Sequence, residues 1–259
     1  MKQQISIKTE EEIRTLKEGG KRLRKILQDL ATMVKPGIST FDLEIKADNL
    51  ILAAGGYPAF KHYHTNGEEP YPSILCTSIN DEVVHAPAVP GRILKEGDII
   101  GIDIGMRYPA ENGFYTDTAV TVSVGRITKE AAKLVEVTRN ALFVGIKAVK
   151  AGRPISDIGQ AVEQYVSQFN YGIVRDLVGH GVGYAVHEEP RVPNYFDRAL
   201  SNVIMKGGLV IAIEPMINAG TWKVVEGSDG FTIKTADGSL SAHFEHTIAV
   251  TKKGADIIT

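Results

Sequence analysis

The first part of the chain has the hydrophobic pattern of amphipathic helices. Between Ile13 and Leu30, leucine and isoleucine recur at spacings of three and four residues, which predicts a helix with one apolar side. Thr9 and Glu12 have the spacing of a capping box, so this helix should begin after Thr9. The run Val34-Lys35-Pro36-Gly37 predicts its end, and Ser39 is expected to cap a second helix.

Extended patterns follow these two helices. Ser73–Ile79 and Ile99–Ile104 are short apolar runs that predict buried strands. Phe114–Val124 alternates apolar and polar residues, as a hairpin partner of the preceding strand would. Asn80-Asp81 predicts a turn. Helices followed by strands predict a mixed α/β protein.

The second part of the chain repeats this order. Thr128–Lys150 predicts a long helix that ends at Val149-Lys150-Ala151-Gly152, a signal like that at Val34. Ser156 is then expected to cap the next helix, as Ser39 does in the first part. The shared order predicts two similar halves, and the repeat unit is too long for a solenoid.

Two pairs of predicted strands also correspond between the halves. Residues 95–103 and 206–214 both run from a lysine through an apolar strand to a carboxylate. Residues 117–122 and 245–250 both begin with a carboxylate and continue as an alternating strand. Chance similarity between lysine-glycine turns and valine-rich strands is the alternative, but four correspondences in one order favour a true repeat. No linker separates the halves.

Composition narrows the class of protein without identifying it. The chain has 259 residues, of which 43% are hydrophobic and 23% charged, as expected for a globular protein that buries a large core. The formal net charge of -2 argues against nucleic acid or an anionic membrane as the main partner. A single cysteine, Cys76, allows no intramolecular disulfide, and no signal peptide or membrane-length apolar run is present. A cytoplasmic protein is expected.

Four carboxylates end or begin these apolar strands. Asp103 and Asp117 come from the first half, and Glu214 and Glu245 come from the second. A single acid in such a place most often accepts backbone N–H bonds or pairs with arginine. If the halves face each other, however, the four charges need cations, and two divalent ions are the simplest answer. Manganese, iron, cobalt and zinc all suit such oxygen-rich sites.

The histidines divide into candidates and ordinary side chains. His180 lies in Gly-His-Gly-Val-Gly, where little side-chain cover makes it a better ligand than a core residue. His187 and His85 are weaker candidates, each with the alternative of a hydrogen-bonded loop or strand histidine. Cys76 is interpreted as a small buried residue rather than a nucleophile. Four histidines are interpreted as ordinary hydrogen-bonded side chains, although the last two flank Glu245 and could support it: His62, His64, His243 and His246.

Taken together, these segments resemble type I methionine aminopeptidases. The match covers nearly the whole chain in order, and the combined set of motifs is highly specific. The segments that carry it are Ser78–His85, Gly97–Asp103, Asp117-Thr118, Gly179–Gly183, His187–Pro190, Ile213–Met216 and Ser241–Thr247.

The resemblance implies an α+β "pita-bread" fold, with two pseudo-symmetric halves, antiparallel sheet inside and helices outside. Residues 1–259 would form one catalytic domain, with halves at about 1–125 and 126–259. The family's ligands of two divalent metal ions fall on Asp103, Asp117, His180, Glu214 and Glu245. Its catalytic groups fall on His85, His187 and Glu214. Residues that bind the substrate fall on His85, His187, Tyr71, Cys76 and Phe231.

The implied activity is removal of the N-terminal methionine from nascent proteins whose second residue is small. Nascent chains are then the partners, with transient ribosome contact, no membrane, no specific nucleic acid and a monomeric state. The alternatives are an X-Pro peptidase on the same fold and a non-catalytic binding module. The chain departs from the family pattern by extra residues at 65–70 and at three further positions: Ala86, Val186 and Phe231.

Overall fold

A computed structural model describes residues 5–64 and 69–259 of the chain. Within those ranges four α-helices form: α1 (Glu10–Met33), α2 (Thr40–Ala53), α3 (Lys129–Ala148) and α4 (Ser156–Val166). Short 3₁₀ helices lie at Ser167–Phe169 and Arg198–Leu200. Among the helices in these ranges, none combines the length and apolar character that crossing a membrane requires.

The same ranges contain fifteen strands. The first half contributes β1 (Tyr57–Pro58), β2 (Leu75–Ile79), β3 (Glu82–Val84), β4 (Ile99–Tyr108) and β5 (Phe114–Ser123). The second half contributes β6 (Gly172–Ile173), β7 (Gly179–Gly181), β8 (Glu188–Val192), β9 (Val210–Ile213), β10 (Met216–Asn218), β11 (Val224–Glu226), β12 (Ile233–Thr235), β13 (Ser241–His243), β14 (Glu245–Val250) and β15 (Ala255–Ile257). The helices and strands predicted from periodicity are present, with small shifts at their ends.

Nine of these strands form one sheet. Its order is β1-β4-β5-β14-β9-β7-β8, with β2 on β4 and β15 on β14 beside that path. Two three-stranded sheets, β13-β10-β6 and β11-β12-β3, complete the architecture. Strands β5 and β14 are direct neighbours and pair antiparallel, so the two halves of the chain share one continuous sheet.

Helix starts follow the sequence signals at three of the four helices. Thr9 and Ser39 cap α1 and α2 with complete capping boxes, and Thr128 caps α3 by accepting an N–H of its first turn. Each cap satisfies a backbone donor that the helix itself leaves without a partner, which stabilises the helix by about 1 kcal/mol.

The prediction that Ser156 caps α4 is wrong. Ser156 is the first residue inside the helix, and the N-cap position makes no side-chain hydrogen bond. The carbonyl groups of Pro154 and Ile155 already accept the N–H groups of Asp157 and Ile158, at 3.2 and 3.1 Å. The chain therefore starts to turn before Ser156, and those N–H groups need no hydroxyl cap.

The predicted repeat is visible in the backbone. Helices α1 and α3 both end at a valine, Val34 and Val149, with nearly identical extended dihedral angles. Three residues further on, Gly37 and Gly152 adopt φ of +90° and +86°, a conformation that glycine takes at little cost. Equivalent turns therefore lead into the second helix of each half, α2 and α4. The boundary between halves near residue 125 stays a prediction.

Two hydrophobic cores hold the helices against the sheet. The first joins α1 and α2 to β2 and β4, and the second joins α3 and α4 to β9 and β14. Burying each large aliphatic side chain stabilises the fold by roughly 1.5–3 kcal/mol. Representative members of the two cores are Leu23, Leu30, Leu43 and Ile102, and Leu142, Ile158, Ile211 and Ile248.

The alternation of side chains along β4 places the aliphatic core residues on one face of the sheet and Asp103 on the other. Ile102 and Ile104 belong to the first core, so Asp103 between them points to the opposite face of the sheet. Asp103 pairs across the ladder with Ala119 of β5, and Ala119 pairs on its other side with Glu245 of β14. Asp103 and Glu245 therefore share the face of the sheet opposite to the first core.

One buried carboxylate connects the helical layer to the sheet and generates a test. Glu44 of α2 accepts the backbone N–H groups of Ile74 and Leu75, at 2.6 and 3.0 Å, where β2 begins. In Glu44→Gln the amide NH₂ faces one of these donors. The free energy of unfolding should fall by about 1.5–3 kcal/mol, measured by urea denaturation.

The control for this change is Asp48→Asn on the same helix, which should stay within about 0.5 kcal/mol of the wild type. Equal stability of Glu44→Gln and Asp48→Asn would show that the Glu44 bonds do not anchor α2 to the sheet.

Candidate active site

A cavity of about 830 Å³ opens on the face of the sheet that carries Asp103 and Glu245. Every residue selected from the sequence as a site candidate contributes to its wall. These residues come from both halves of the chain: Tyr71, Cys76, His85, Asp103, Asp117, His180, His187, Glu214, Phe231 and Glu245.

The central strands bring the carboxylates to the floor of this cavity. Asp117 precedes Ala119 by two residues on β5, so it lies on the same face as Asp103 and Glu245. Glu214 follows the last residue of β9, the neighbour of β14. Strand pairing alone therefore collects acids that are more than a hundred residues apart in the sequence.

The imidazole of His180 faces these acids in a form that can bind a metal. Its Nδ1 lies 2.9 Å from the carbonyl oxygen of Gly181, so the hydrogen resides on Nδ1 and Nε2 keeps its lone pair. Nε2 lies 3.6 Å from Oδ2 of Asp117 and 3.4 Å from Oε1 of Glu214. Burial lowers the pKa of His180 to about 4, so the ring is neutral at pH 7.

Burial opposes the ionisation of the four acids. Desolvation, together with the nearby charge of Asp117, raises the pKa of Asp103 to about 8. Desolvation also raises the pKa of Asp117 to about 6. The pKa values of Glu214 and Glu245 are raised as well, by burial first and by the neighbouring carboxylates second. Without a cation, these groups hold protons that free carboxylates would have lost.

The donor atoms fit a divalent ion. Asp117, His180 and Glu245 each offer one ligand atom, and these atoms lie within 4.8 Å of one another. The Oδ1 atom of Asp103 is buried and has no hydrogen-bond partner among residues 5–64 and 69–259. A buried acceptor of this kind needs a cation or a proton, and a site of oxygens with one imidazole suits manganese, iron, cobalt or zinc.

His187 stands beside this cluster on the loop between β7 and β8. Its ring makes an edge contact with His180, with ring centroids 4.4 Å apart. Its Nδ1 lies 2.6 Å from the hydroxyl oxygen of Tyr63, which can donate a hydrogen bond to it. Burial, followed by the nearby His180, lowers the pKa of His187 to about 4. The ring is therefore neutral at pH 7, and the contact with Tyr63 determines which nitrogen carries the hydrogen.

His85 reaches the cavity through an unusual backbone conformation. It follows the last residue of β3 with φ of +60°, in the left-handed region that residues other than glycine rarely adopt. Desolvation and the adjacent His187 and His180 lower its pKa to about 4. A strained backbone that turns a neutral imidazole into a cavity is characteristic of functional positions.

The apolar part of the cavity is formed by Tyr71, Cys76 and Phe231. The rings of Tyr71 and Phe231 meet edge to face, with centroids 5.6 Å apart. Cys76 is a buried free thiol, and burial raises its pKa, so it stays protonated. This agrees with its interpretation as a small wall residue and not as a nucleophile.

The histidines interpreted as ordinary have different environments. His243 is buried, with Nε2 lying 3.8 Å from Glu214 and without a hydrogen-bond partner in the described parts of the chain. His246 points away from the acids, towards the hydroxyl of Thr259. His64 lines the cavity and bonds through Nδ1 to the carbonyl oxygen of His62.

Sequence patterns did not identify two side chains that support the site. Tyr63 bonds to His187 across 124 positions, and Thr247 donates its hydroxyl to Asp117 Oδ1 at 2.7 Å across 130 positions. Alternation along β14 could have placed Thr247 on the same face as Glu245, whereas nothing local to Tyr63 indicates its partner. Of the extra residues at 65–70, Thr65 to Glu68 lie outside the described ranges, and Glu69 lines the cavity.

Comparison with known proteins places this geometry in a family. Residues 14–252 match the model of metallopeptidase family M24. A methionine aminopeptidase from Clostridium acetobutylicum is 41% identical over 255 residues, which cover 98% of each chain. The crystal structure of a methionine aminopeptidase from Thermotoga maritima superposes with a TM-score of 0.92 at 38% identity, over 99% of each chain. The chain therefore belongs to metallopeptidase family M24, within its methionine aminopeptidases.

Proteins with much lower sequence identity share the same fold. A Xaa-Pro dipeptidase from Bacillus anthracis has a TM-score of 0.77 at 20% identity, over 98% of this chain and 61% of its own. At that identity only the fold is shared. The expected pita-bread fold is confirmed, while the full-length similarity favours the methionine aminopeptidase interpretation over the X-Pro alternative and over a non-catalytic module.

The raised pKa values of the acids predict that metal binding releases protons. A carboxyl with a pKa of about 8, such as that of Asp103, is protonated below that pH, and a bound cation displaces this proton. The apparent affinity for Mn²⁺ should therefore rise between pH 6 and pH 8, by up to about tenfold per pH unit for each proton displaced. His180, with a pKa of about 4, contributes no proton in this range.

The measurement is titration calorimetry of the metal-free protein with Mn²⁺, in buffers that differ in ionisation enthalpy. Asp103→Asn is the control, and it should release fewer protons at pH 7. A pH-independent affinity with no proton release would mean that the four acids are ionised before the metal arrives.

Proposed function

We propose that this member of metallopeptidase family M24 removes the N-terminal methionine from polypeptides whose second residue is small. The observation that carries the proposal is the meeting of four carboxylates, two buried and two partly exposed, with the neutral His180 on the floor of a cavity with an apolar wall. The activity named for relatives about 40% identical over almost the whole chain supports it.

We assign two divalent ions to Asp103, Asp117, His180, Glu214 and Glu245. Two such ions would balance the charge of four ionised carboxylates, which a single ion would leave half compensated. When bound, divalent ions polarise a carbonyl group and lower the pKa of water. Cobalt, manganese, iron and zinc all agree with this donor set.

Glu214 is assigned as the proton shuttle. Its two oxygens face different imidazoles, with Oε1 3.4 Å from His180 and Oε2 3.8 Å from His243. When two divalent ions offset the charge of the four acids, Glu214 is ionised and one of its oxygens can accept a proton. Such a carboxylate can take a proton from the attacking water and deliver it to the departing amine.

His187 and His85 are assigned to the scissile peptide group. When the Tyr63 hydroxyl donates to Nδ1 of His187, the hydrogen of the neutral ring resides on Nε2. Nε2–H can then donate to the carbonyl oxygen as negative charge develops on it. His85, on the β3 side of the cavity, is assigned to contact the amide near the leaving nitrogen.

The methionine side chain is assigned to the wall formed by Tyr71, Cys76 and Phe231. A flexible thioether packs well against aromatic edges, and Tyr71 and Phe231 present such edges to the cavity. The substrate class would be the N-termini of nascent polypeptides, encountered in the cytoplasm through transient contact with the ribosome. A monomer suffices, because this chain supplies every residue assigned to the site.

The roles of two histidines can be separated by substitution. His187→Ala should lower kcat by roughly 10²–10³, the scale of one lost oxyanion donor, while the metal content stays unchanged. His180→Ala should weaken metal binding directly. His62→Ala serves as the control histidine. Metal content by atomic absorption and kcat on Met-Ala-Ser are the measurements, and the two assignments are reversed if His187→Ala loses metal while His180→Ala retains it.

Specificity at the second substrate residue is a further expected outcome. The position after methionine lies near the ligands, so bulky side chains should be penalised by about 2–3 kcal/mol, or roughly 30–150-fold in kcat/KM. Peptides that differ only at this residue provide the comparison. Met-Ala peptides should be cleaved faster than Met-Lys peptides. Equal rates, or faster cleavage of an Ala-Pro peptide, would refute methionine excision as the activity.

A further inference from the structure

We propose that the buried ion pair between Lys8 and Glu188 positions the loop that presents His187, so that the N-terminal segment controls the catalytic step. The inference rests on the proposed function for the role of His187. Its structural part rests only on contacts between the segment before α1 and the loop between β7 and β8.

The N-terminal segment is anchored by a lysine with no exposed side-chain surface. The Nζ atom of Lys8 lies 2.6 Å from Oε2 of Glu188, and the two side chains are 0% and 12% exposed. The hydroxyl of Ser6 bonds to the same carboxylate oxygen and to the lysine. The backbone N–H of Lys8 donates to the carbonyl oxygen of Gly208 at 2.8 Å, which fixes the segment to the edge of the second half.

The other oxygen of Glu188 holds the loop itself. Its Oε1 accepts the backbone N–H groups of Tyr184 and of Ala185, the latter at 3.1 Å. One carboxylate therefore uses one oxygen for the N-terminal segment and the other for the loop. Since Glu188 directly follows His187, this bridge acts on the backbone that carries the imidazole.

Packing adds to the polar contacts. A Cβ atom added at Gly183 would lie 2.6 Å from Cε of Lys8, so the lysine stem rests against the start of the loop. Its ammonium group lies 4.7 Å from the centroid of the Tyr184 ring, and the Tyr184 hydroxyl donates to Glu12 of α1 at 2.7 Å. The loop is thus held by side chains from the segment and from the first turn of α1.

The arrangement differs from an ordinary stabilising ion pair. Burial lowers the pKa of Lys8, and Glu188 opposes that change, so removing either partner leaves a buried charge without compensation. A pair needed only for stability could be exchanged for two neutral side chains. Here the carboxylate also orders two amides beside His187, and displacement of the catalytic ring by about 1 Å is enough to reduce turnover strongly.

The test compares Lys8→Met, Glu188→Gln and the double variant with the wild type. Lys17→Met is the matched control, because Lys17 forms an equally short pair with Asp256 at 2.6 Å, with both side chains about half exposed. Each protein is assayed for kcat and KM on Met-Ala-Ser, Mn²⁺ stoichiometry, thermal stability and hydrogen exchange in the peptide that covers 182–189.

In Lys8→Met, kcat should fall by about 10- to 100-fold with little change in KM or in Mn²⁺ stoichiometry. The amides of Tyr184 and Ala185 should exchange about tenfold faster or more, while those of the central strands stay protected. Glu188→Gln, which keeps one oxygen for the loop amides, should lose less of their protection. Lys17→Met should match the wild type in all four measurements.

The double variant distinguishes positioning from stability, since it removes both buried charges. It should recover thermal stability relative to the single variants but retain the low kcat and the fast exchange. Recovery of kcat together with stability would overturn the proposal. If Lys8→Met does not fold, Glu188→Gln and the double variant carry the same comparison.

The exchange measurements keep this inference separate from the proposed activity. A wild-type protein that binds Mn²⁺ but cleaves no methionyl peptide would refute the proposed function. The dependence of the Tyr184 and Ala185 amides on Lys8 would still decide whether the ion pair holds the loop. Unchanged exchange in all three variants would refute the positioning role, whatever the activity.

Discussion

The central constraint on this structure is the electrostatic cost of bringing four carboxylates together in a poorly hydrated space. Burial away from water raises the pKa values of these acids, and the repulsion between neighbouring carboxylates raises them further. Protons can relieve the repulsion, but only a cation allows all four groups to be charged at neutral pH. The arrangement of strands, the neutral imidazoles and the Asp103 oxygen that lacks a hydrogen-bond partner within the described residues all suit a site that binds cations.

The fold can hold these carboxylates close together because the two faces of the central sheet have different surroundings. One face is covered by helices and holds both aliphatic cores, while the other carries the acids. The ladder between β4, β5 and β14 fixes Asp103 and Glu245 on either side of Ala119, and Thr247 bonds to Asp117. Strands in the middle of a nine-stranded sheet have little freedom to move apart, so the positions of these acids are set by the fold itself.

Chemistry and specificity are divided between different parts of the molecule. A Xaa-Pro dipeptidase shares this fold at low sequence identity, so the pita-bread architecture does not by itself select a substrate. In the proposed function the cavity walls select the substrate, through the pair of Tyr71 and Phe231, the loop that carries His187, and the segment around Tyr63. These elements are held by side-chain contacts and not by the central ladder, which makes them the parts most able to vary among proteins of one fold.

Local chemistry was sufficient for the four helices and for strands β2, β4, β5, β9 and β14. The caps at Thr9 and Ser39, the matching turns after α1 and α3, and the carboxylates beside apolar strands all follow from patterns a few residues long. Because these patterns recur in the same order, they also predicted two similar halves. The resemblance then indicated which acids and imidazoles would meet, and the structure gathers them in one cavity.

Tertiary packing decided what no short window contains. Ser156 fails as a cap because the turn begins earlier, at Pro154, where the backbone is drawn into a bridge with Ile204. The bond between Tyr63 and His187 spans 124 positions, and that between Lys8 and Glu188 spans 180. Periodicity and capping express interactions between neighbours in the chain. Partners so distant are selected only when helices, sheet and loops have packed, because the free energy of each contact depends on the burial that packing creates.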